Sequence, residues 1–174
     1  MIRKSLVTAS LLFLTSNVLG NEVSSSKWMT DISLYPSAPG ETLNNIDFDD
    51  THIVAFKFGK TSIWNDIGLF ASFGMTANQT EEDGSSVEPY LEYKQYGIGA
   101  NYSLNSNFIL YAGFGLSEAN GTYTNSYGDK YETTESVDET YTTIGGSYIF
   151  GEHAYVDLSV QSVGGIGIGF GFKF

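Results

Sequence analysis

The chain contains no cysteine, 3 prolines, 2 histidines, and 8 basic residues against 20 acidic ones. Each shortage excludes something. Without cysteine there is neither a disulfide scaffold nor a thiolate metal site. A formal net charge of −12 leaves no basic face for nucleic acid, so none is expected as a partner. Scarce proline argues against a disordered chain. Long apolar runs are missing too. Nothing after the first twenty residues nears the ~20 apolar residues of a spanning helix, so any membrane crossing must use strands. What is plentiful is glycine (20) and ring-bearing residues (12 Tyr, 12 Phe), a mixture that points to an all-β protein.

The beginning of the chain reads as a leader. Arg3 and Lys4 precede an apolar core from Leu6 to Leu14, and Val18 and Gly20 are small enough for a cleavage site. That core is too short for a bilayer span, so residues 1–20 are expected to be a secretory signal peptide, with Asn21 the new N-terminus. Residues 21–174 then form one domain, more acidic still once Arg3 and Lys4 are lost.

The clearest pattern in that domain is its end, GIGIGFGFKF. Ile166, Ile168, Phe170, Phe172 and Phe174 share one parity, and Gly165, Gly167, Gly169, Gly171 and Lys173 the other. Strict alternation gives a strand one bulky apolar face and one tiny or polar face. Similar alternation recurs around Ile98, Phe114, Leu69, Val156 and Phe56. It predicts eight strands, over 27–36, 51–60, 66–78, 90–104, 108–117, 139–150, 154–162 and 165–174. Their lengths suit transmembrane strands of ~9–11 residues. The connections alternate long and short, the long ones being 38–50, 79–89 and 118–138, as outer-membrane barrels alternate external loops with periplasmic turns. The fold expected is an eight-stranded antiparallel up-and-down transmembrane β-barrel. Phe70, Tyr111, Tyr141 and Tyr155 would fill its lumen, and Tyr35, Tyr90 and Tyr96 would stand toward the upper rim.

With those residues in place, the chain resembles the small eight-stranded outer-membrane β-barrel family of Gram-negative bacteria. That family includes OmpX-like proteins, opacity proteins and the OmpA transmembrane domain. The resemblance implies location in the cell outer membrane, contact with outer-membrane lipid and lipopolysaccharide, and a monomer. It also implies that Ile166, Ile168, Phe170, Phe172 and Phe174 form the terminal signal read by the barrel-assembly machinery.

Sites are sparse. Enzymatic barrels of this size need a base beside Ser or Asp at the membrane edge. His153 lies in a short turn before Ala154 and Tyr155, and His52 stands at a strand start beside Asp49 and Asp50; neither makes a catalytic set. No enzyme activity, cofactor or metal is expected. Acids crowd the long loops: Glu41, Asp47, Asp49 and Asp50; Glu81, Glu82, Asp83 and Glu88; Glu118, Asp129, Glu132, Glu135 and Asp138. They lack calcium-loop spacing and read as a solvated face. The function expected is structural, or an interaction through these acidic loops with an unspecified partner. A small channel or carrier, an enzyme and a soluble ligand-binding barrel are the alternatives.

The inward parity also holds Asp31, Lys57, Asp157 and Lys173. If Trp28 faces Lys60 across a hairpin, Asp31 faces Lys57. A turn near Gly164 would put Lys173 opposite Tyr155 and diagonal to Asp157. Two acids and two bases in a confined space should form a neutral network plugging the barrel, because an unpaired buried charge is costly.

Overall fold

The structure is a computed structural model that describes residues 27–38, 40, 42–43, 46–48, 50–64, 66–77, 90–124 and 130–174. The leader 1–20, segment 78–89 and the loop acids Glu41, Asp49, Glu81, Glu82, Asp83, Glu88 and Asp129 lie outside the described residues. Alternating burial runs along the strands; β9, for example, buries every second residue from Tyr155 onward. The strands are β1 (Trp28–Ala38), β2 (Thr42–Leu43), β3 (Ile46–Asp47), β4 (Thr51–Trp64), β5 (Ile67–Thr76), β6 (Tyr90–Ser103), β7 (Phe108–Thr124), β8 (Lys130–Phe150), β9 (Ala154–Gln161) and β10 (Gly165–Lys173). Apart from the small β2–β3 hairpin, they close into one antiparallel barrel in the order β1-β10-β9-β8-β7-β6-β5-β4. At the seam, Trp28 N–H donates to Phe174 O (2.8 Å) and Phe174 N–H to Trp28 O (2.9 Å). Closure leaves the barrel no open edge.

The outer surface is apolar. Ile144, Ile168, Phe114, Leu116 and Ile166 are all more than 60 % exposed. Between Lys60 at the lower rim, where the short turns lie, and Lys94 and Glu118 at the upper, no outward position described on the barrel strands carries a charge. On β7 this belt runs from Phe108 to Leu116, about 27 Å along the strand at ~3.4 Å per residue. An apolar face of this extent marks a surface that meets an apolar partner.

Two expectations change. Segment 118–138 was expected to be a loop, but β7 runs up to Thr124 and β8 restarts at Lys130. The reason is composition. Thr122, Thr124, Thr133, Thr134, Thr140 and Tyr131 favour strand, yet with polar residues on both faces they leave no apolar alternation to detect. Tyr35 also leaves the rim. It shares parity with Asp31 and Ser33, is only 3 % exposed, and its hydroxyl lies 2.8 Å from Ser159 Oγ.

Inside, rings sit on glycines. Phe70 covers Gly99 and Gly113, Tyr141 covers Gly97 and Gly115, Tyr111 covers Gly145, Tyr155 covers Gly171, and Tyr35 covers Gly167. A Cβ on Gly99 would lie 2.5 Å from Phe70 Cε1 and would also collide with the Ala112 carbonyl oxygen. Gly99→Val should therefore destabilise the barrel by about 1–3 kcal/mol or more. Gly146→Ala, whose nearest neighbour is Leu110 Cδ2 at 3.3 Å on the outward side, should be close to neutral. Urea midpoints of the two refolded variants, read by heat-modifiable mobility on gels, check the contrast.

Candidate functional site

Parity turns Lys57 inward from β4, and the β1–β4 register sets it opposite Asp31, with Trp28 opposite Lys60. Its Nζ lies 3.1 Å from Asp31 Oδ2 and 3.2 Å from Asp157 Oδ2. It also stands 3.5 Å from the centroid of the Tyr111 ring, a cation–π contact. Each carboxylate has further donors. Tyr111 O–H donates to Asp157 Oδ1 (2.6 Å) and Ser147 O–H to Asp157 Oδ2 (2.7 Å). Tyr155 O–H donates to Asp31 Oδ2 (3.0 Å) and Ser33 O–H to Asp31 Oδ1 (3.3 Å). Lys57, Asp31 and Asp157 are 7 %, 2 % and 2 % exposed.

Lys173 is not part of this cluster, contrary to the expected network of two acids and two bases. The β9–β10 turn places Gly165 opposite Gln161, so Gly171 rather than Lys173 faces Tyr155. Lys173 falls opposite Met29, one inward step lower, and makes no ion pair among the described residues. Gly171 takes its place for a steric reason. Without a Cβ there, the Tyr155 ring can lie flat against β10 and reach Asp31. Hydroxyl donors thus supply what a second base was expected to supply. Tyr111, Ser147, Tyr155 and Ser33 are the residues the charge search missed; all lie on the inward parity.

The cluster is sealed at both ends. Above it Tyr35, Phe48, Ile53, Leu91, Tyr93 and Tyr141 pack with their neighbours into an apolar layer. Below it lie Met29, Ile109, Ile149 and Tyr155. Phe48 comes from the β3–β4 connection and stoppers the upper mouth at 5 % exposure. Chemically, the arrangement neutralises charge and ties β1, β4, β7, β8 and β9 together across the lumen. Its three charged side chains are at most 7 % exposed.

The other sequence candidates lie apart from it. His52 is exposed at the upper end of β4. His153 is exposed in the lower turn, with Nε2 3.8 Å from Glu152 Oε2 and Nδ1 2.9 Å from Lys173 O. No group of three or more His, Asp or Glu that could hold a metal ion occurs among the described residues. Ile166, Ile168, Phe170 and Phe172 point outward from β10. Above the apolar belt, β6, β7 and β8 continue as a sheet. On its outer face Lys94 pairs with Glu118 and Glu118 with Asp138, and all three are exposed.

No protein-family model matches the sequence, and no curated protein matches it. Solved structures do match. Ail, the attachment invasion locus protein of Yersinia pestis, in complex with the heparin analogue sucrose octasulfate, is 18 % identical, with a TM-score of 0.58 over 86 % of this chain and 97 % of that one. The outer membrane protein Ail in a phospholipid bilayer nanodisc is 20 % identical, with a TM-score of 0.51 over 86 % of this chain and 100 % of that one. The N-terminal β-barrel domain of Pseudomonas aeruginosa OprF is 16 % identical, with a TM-score of 0.52 over 88 % of this chain and 100 % of that one. The chain has the fold of the small eight-stranded outer-membrane barrels.

Removing Lys57 would leave two carboxylates buried and facing each other. Lys57→Met should cost about 3–5 kcal/mol, the range for breaking a buried ion pair from one side. Adding Asp31→Asn and Asp157→Asn should recover part of that loss. Equilibrium urea unfolding in lipid vesicles measures both.

Proposed function

We propose that the mature chain is an integral protein of the Gram-negative outer membrane whose acidic upper sheet docks cationic partners outside the cell. The carrying observation is the row Lys94–Glu118–Asp138, set one step above the apolar belt. Like charges directly opposite on a sheet repel, and here Glu118 faces Asp138 on the outer face. A cationic surface would relieve that repulsion, and folding alone has no use for it. Ail was captured with a polyanion, sucrose octasulfate; this acidic face favours ligands of the opposite sign. The sealed, side-chain-filled lumen supports docking over conduction, since eight strands enclose little more than their own side chains. In this reading Phe174 closes the seam and completes the terminal signal Ile166, Ile168, Phe170, Phe172, Phe174 for the barrel-assembly machinery.

The mature chain should fractionate with the outer membrane and resist carbonate extraction; recovery in the soluble periplasm would refute the placement. Deleting Phe174 should lower the amount of folded, heat-modifiable barrel in cells, while deleting 125–129 should not. Immobilised in nanodiscs, the protein should bind poly-L-lysine and ignore sucrose octasulfate. Binding should weaken as salt shortens the ~10 Å screening length. Glu118→Gln/Asp138→Asn should lower the affinity roughly fivefold, two exposed pairs each contributing ~0.5 kcal/mol. Equal binding by the variant would refute the docking role.

A further inference from the structure

The outward row that crosses the seam reads Phe172, Thr30, Phe58, Ala71. Small residues alternate with rings: Thr30 is the floor between Phe172 and Phe58, and Ala71 lies on the far side of Phe58. The next row up adds Ile32, Phe56 and Phe73, and the resulting groove has a volume of about 510 Å³. It opens outward, within the lower half of the apolar belt. Directly beneath it the next row begins with Trp28 opposite Lys60. Trp28 stacks on Phe58 (4.9 Å between centroids, 12° between planes), and Lys60 Nζ lies 5.4 Å from the Trp28 centroid.

The charges at this rim are the second, independent observation. In a chain with 20 acids, Lys27, Lys60 and Lys173 converge at the lower ends of three adjacent strands, β1, β4 and β10. None of the three makes an ion pair among the described residues. Lys60 shares the outward parity of Phe58, so its amine emerges where the groove meets the rim. Asp66 and Glu152, by contrast, stand exposed in the β4–β5 and β8–β9 turns farther round the rim.

We propose that this face holds an anionic phospholipid of the periplasmic leaflet. One acyl chain lies in the groove over Thr30, between Phe58 and Phe172, and the phosphate meets Lys60. The proposal rests on the bilayer placement given above. A ring-walled slot suits a chain rather than a flat aromatic ligand. A long lysine stem can run along apolar surface while its charge stays at headgroup level. Anionic headgroups attract basic residues at the membrane surface by about 1 kcal/mol each, or about fivefold in association for one lysine.

Trp28 is a built-in reporter. In a Trp64→Phe background it is the only tryptophan left, and it stacks on the groove wall. The protein is reconstituted in phosphatidylcholine vesicles carrying brominated chains at one mole fraction, on phosphatidylcholine or on phosphatidylglycerol. Both should quench Trp28, and the phosphatidylglycerol arm should give about fivefold tighter relative association at low salt. Lys60→Gln should bring the ratio to near one, and Thr30→Phe, which fills the groove, should reduce quenching in both arms. Equal quenching by the two lipids, or a preference that survives the lysine change, overturns the anionic site. Quenching by neither lipid overturns the bilayer placement itself.

Discussion

Closing eight strands into a ring creates an interior that their own side chains just fill, and everything inside depends on how that volume is shared. The solution here is steric pairing across strands. Tyr111 lies on Gly145, Tyr155 on Gly171, Phe70 on Gly99 and Gly113, Tyr141 on Gly97 and Gly115. Glycine costs backbone entropy in a strand, so its abundance weakens each strand taken alone. Ladder pairing around a closed ring offsets that cost, and the rings supply the apolar contact that the glycines lack. The outward glycine Gly146 shows the contrast, because no lumen ring lies on it.

The ion cluster follows from the same volume constraint. A lysine inside a lumen this narrow must find its counter-charges at its own level, and Lys57 meets one from each side. The remaining lone pairs of Asp31 and Asp157 are met by Tyr111, Tyr155, Ser147 and Ser33, so the polar set is satisfied without water or a second base. Rings that fill the barrel are therefore also donors that satisfy its charges. This explains why tyrosine occupies these two inward positions: Phe would fill the same volume and leave a carboxylate oxygen without its donor.

Parity and hairpin geometry made much of this legible. The two-residue period identified the barrel strands and their inward faces, and Trp28 opposite Lys60 placed Asp31 beside Lys57. The same reasoning failed at β9–β10 because the turn is centred one residue earlier than Gly164. A one-residue change in centre moves every partner by two, which kept Lys173 on the right face and put it at the wrong height. Hydroxyl partners were missed because a search for charges passes over Ser and Tyr. The upper sheet was missed because alternation detects a strand only where one face is apolar. Above Leu116, β7 and β8 are polar on both faces except for the inward pair Ala119–Val137, and mainly their threonine content marks them.

At the seam the lower rim is basic, the upper rim over β7 and β8 is acidic, and the belt between them is neutral. Lys27, Lys60 and Lys173 gather below, while Glu118, Asp138 and Glu139 stand exposed above. A basic residue moved to the middle of a bilayer from the lipid face of a barrel costs about 2–4 kcal/mol, and less toward the interfaces. In the proposed bilayer placement, Lys60 at one end and Lys94 with Glu118 at the other therefore act as stops against sliding, while Trp28, Tyr96 and Tyr102 set the same level by their preference for the interface. Displacement by one row in either direction would drag a charge into hydrocarbon. The height of the barrel in a membrane is thus fixed by its outward charges, independently of the inward ones that hold it shut.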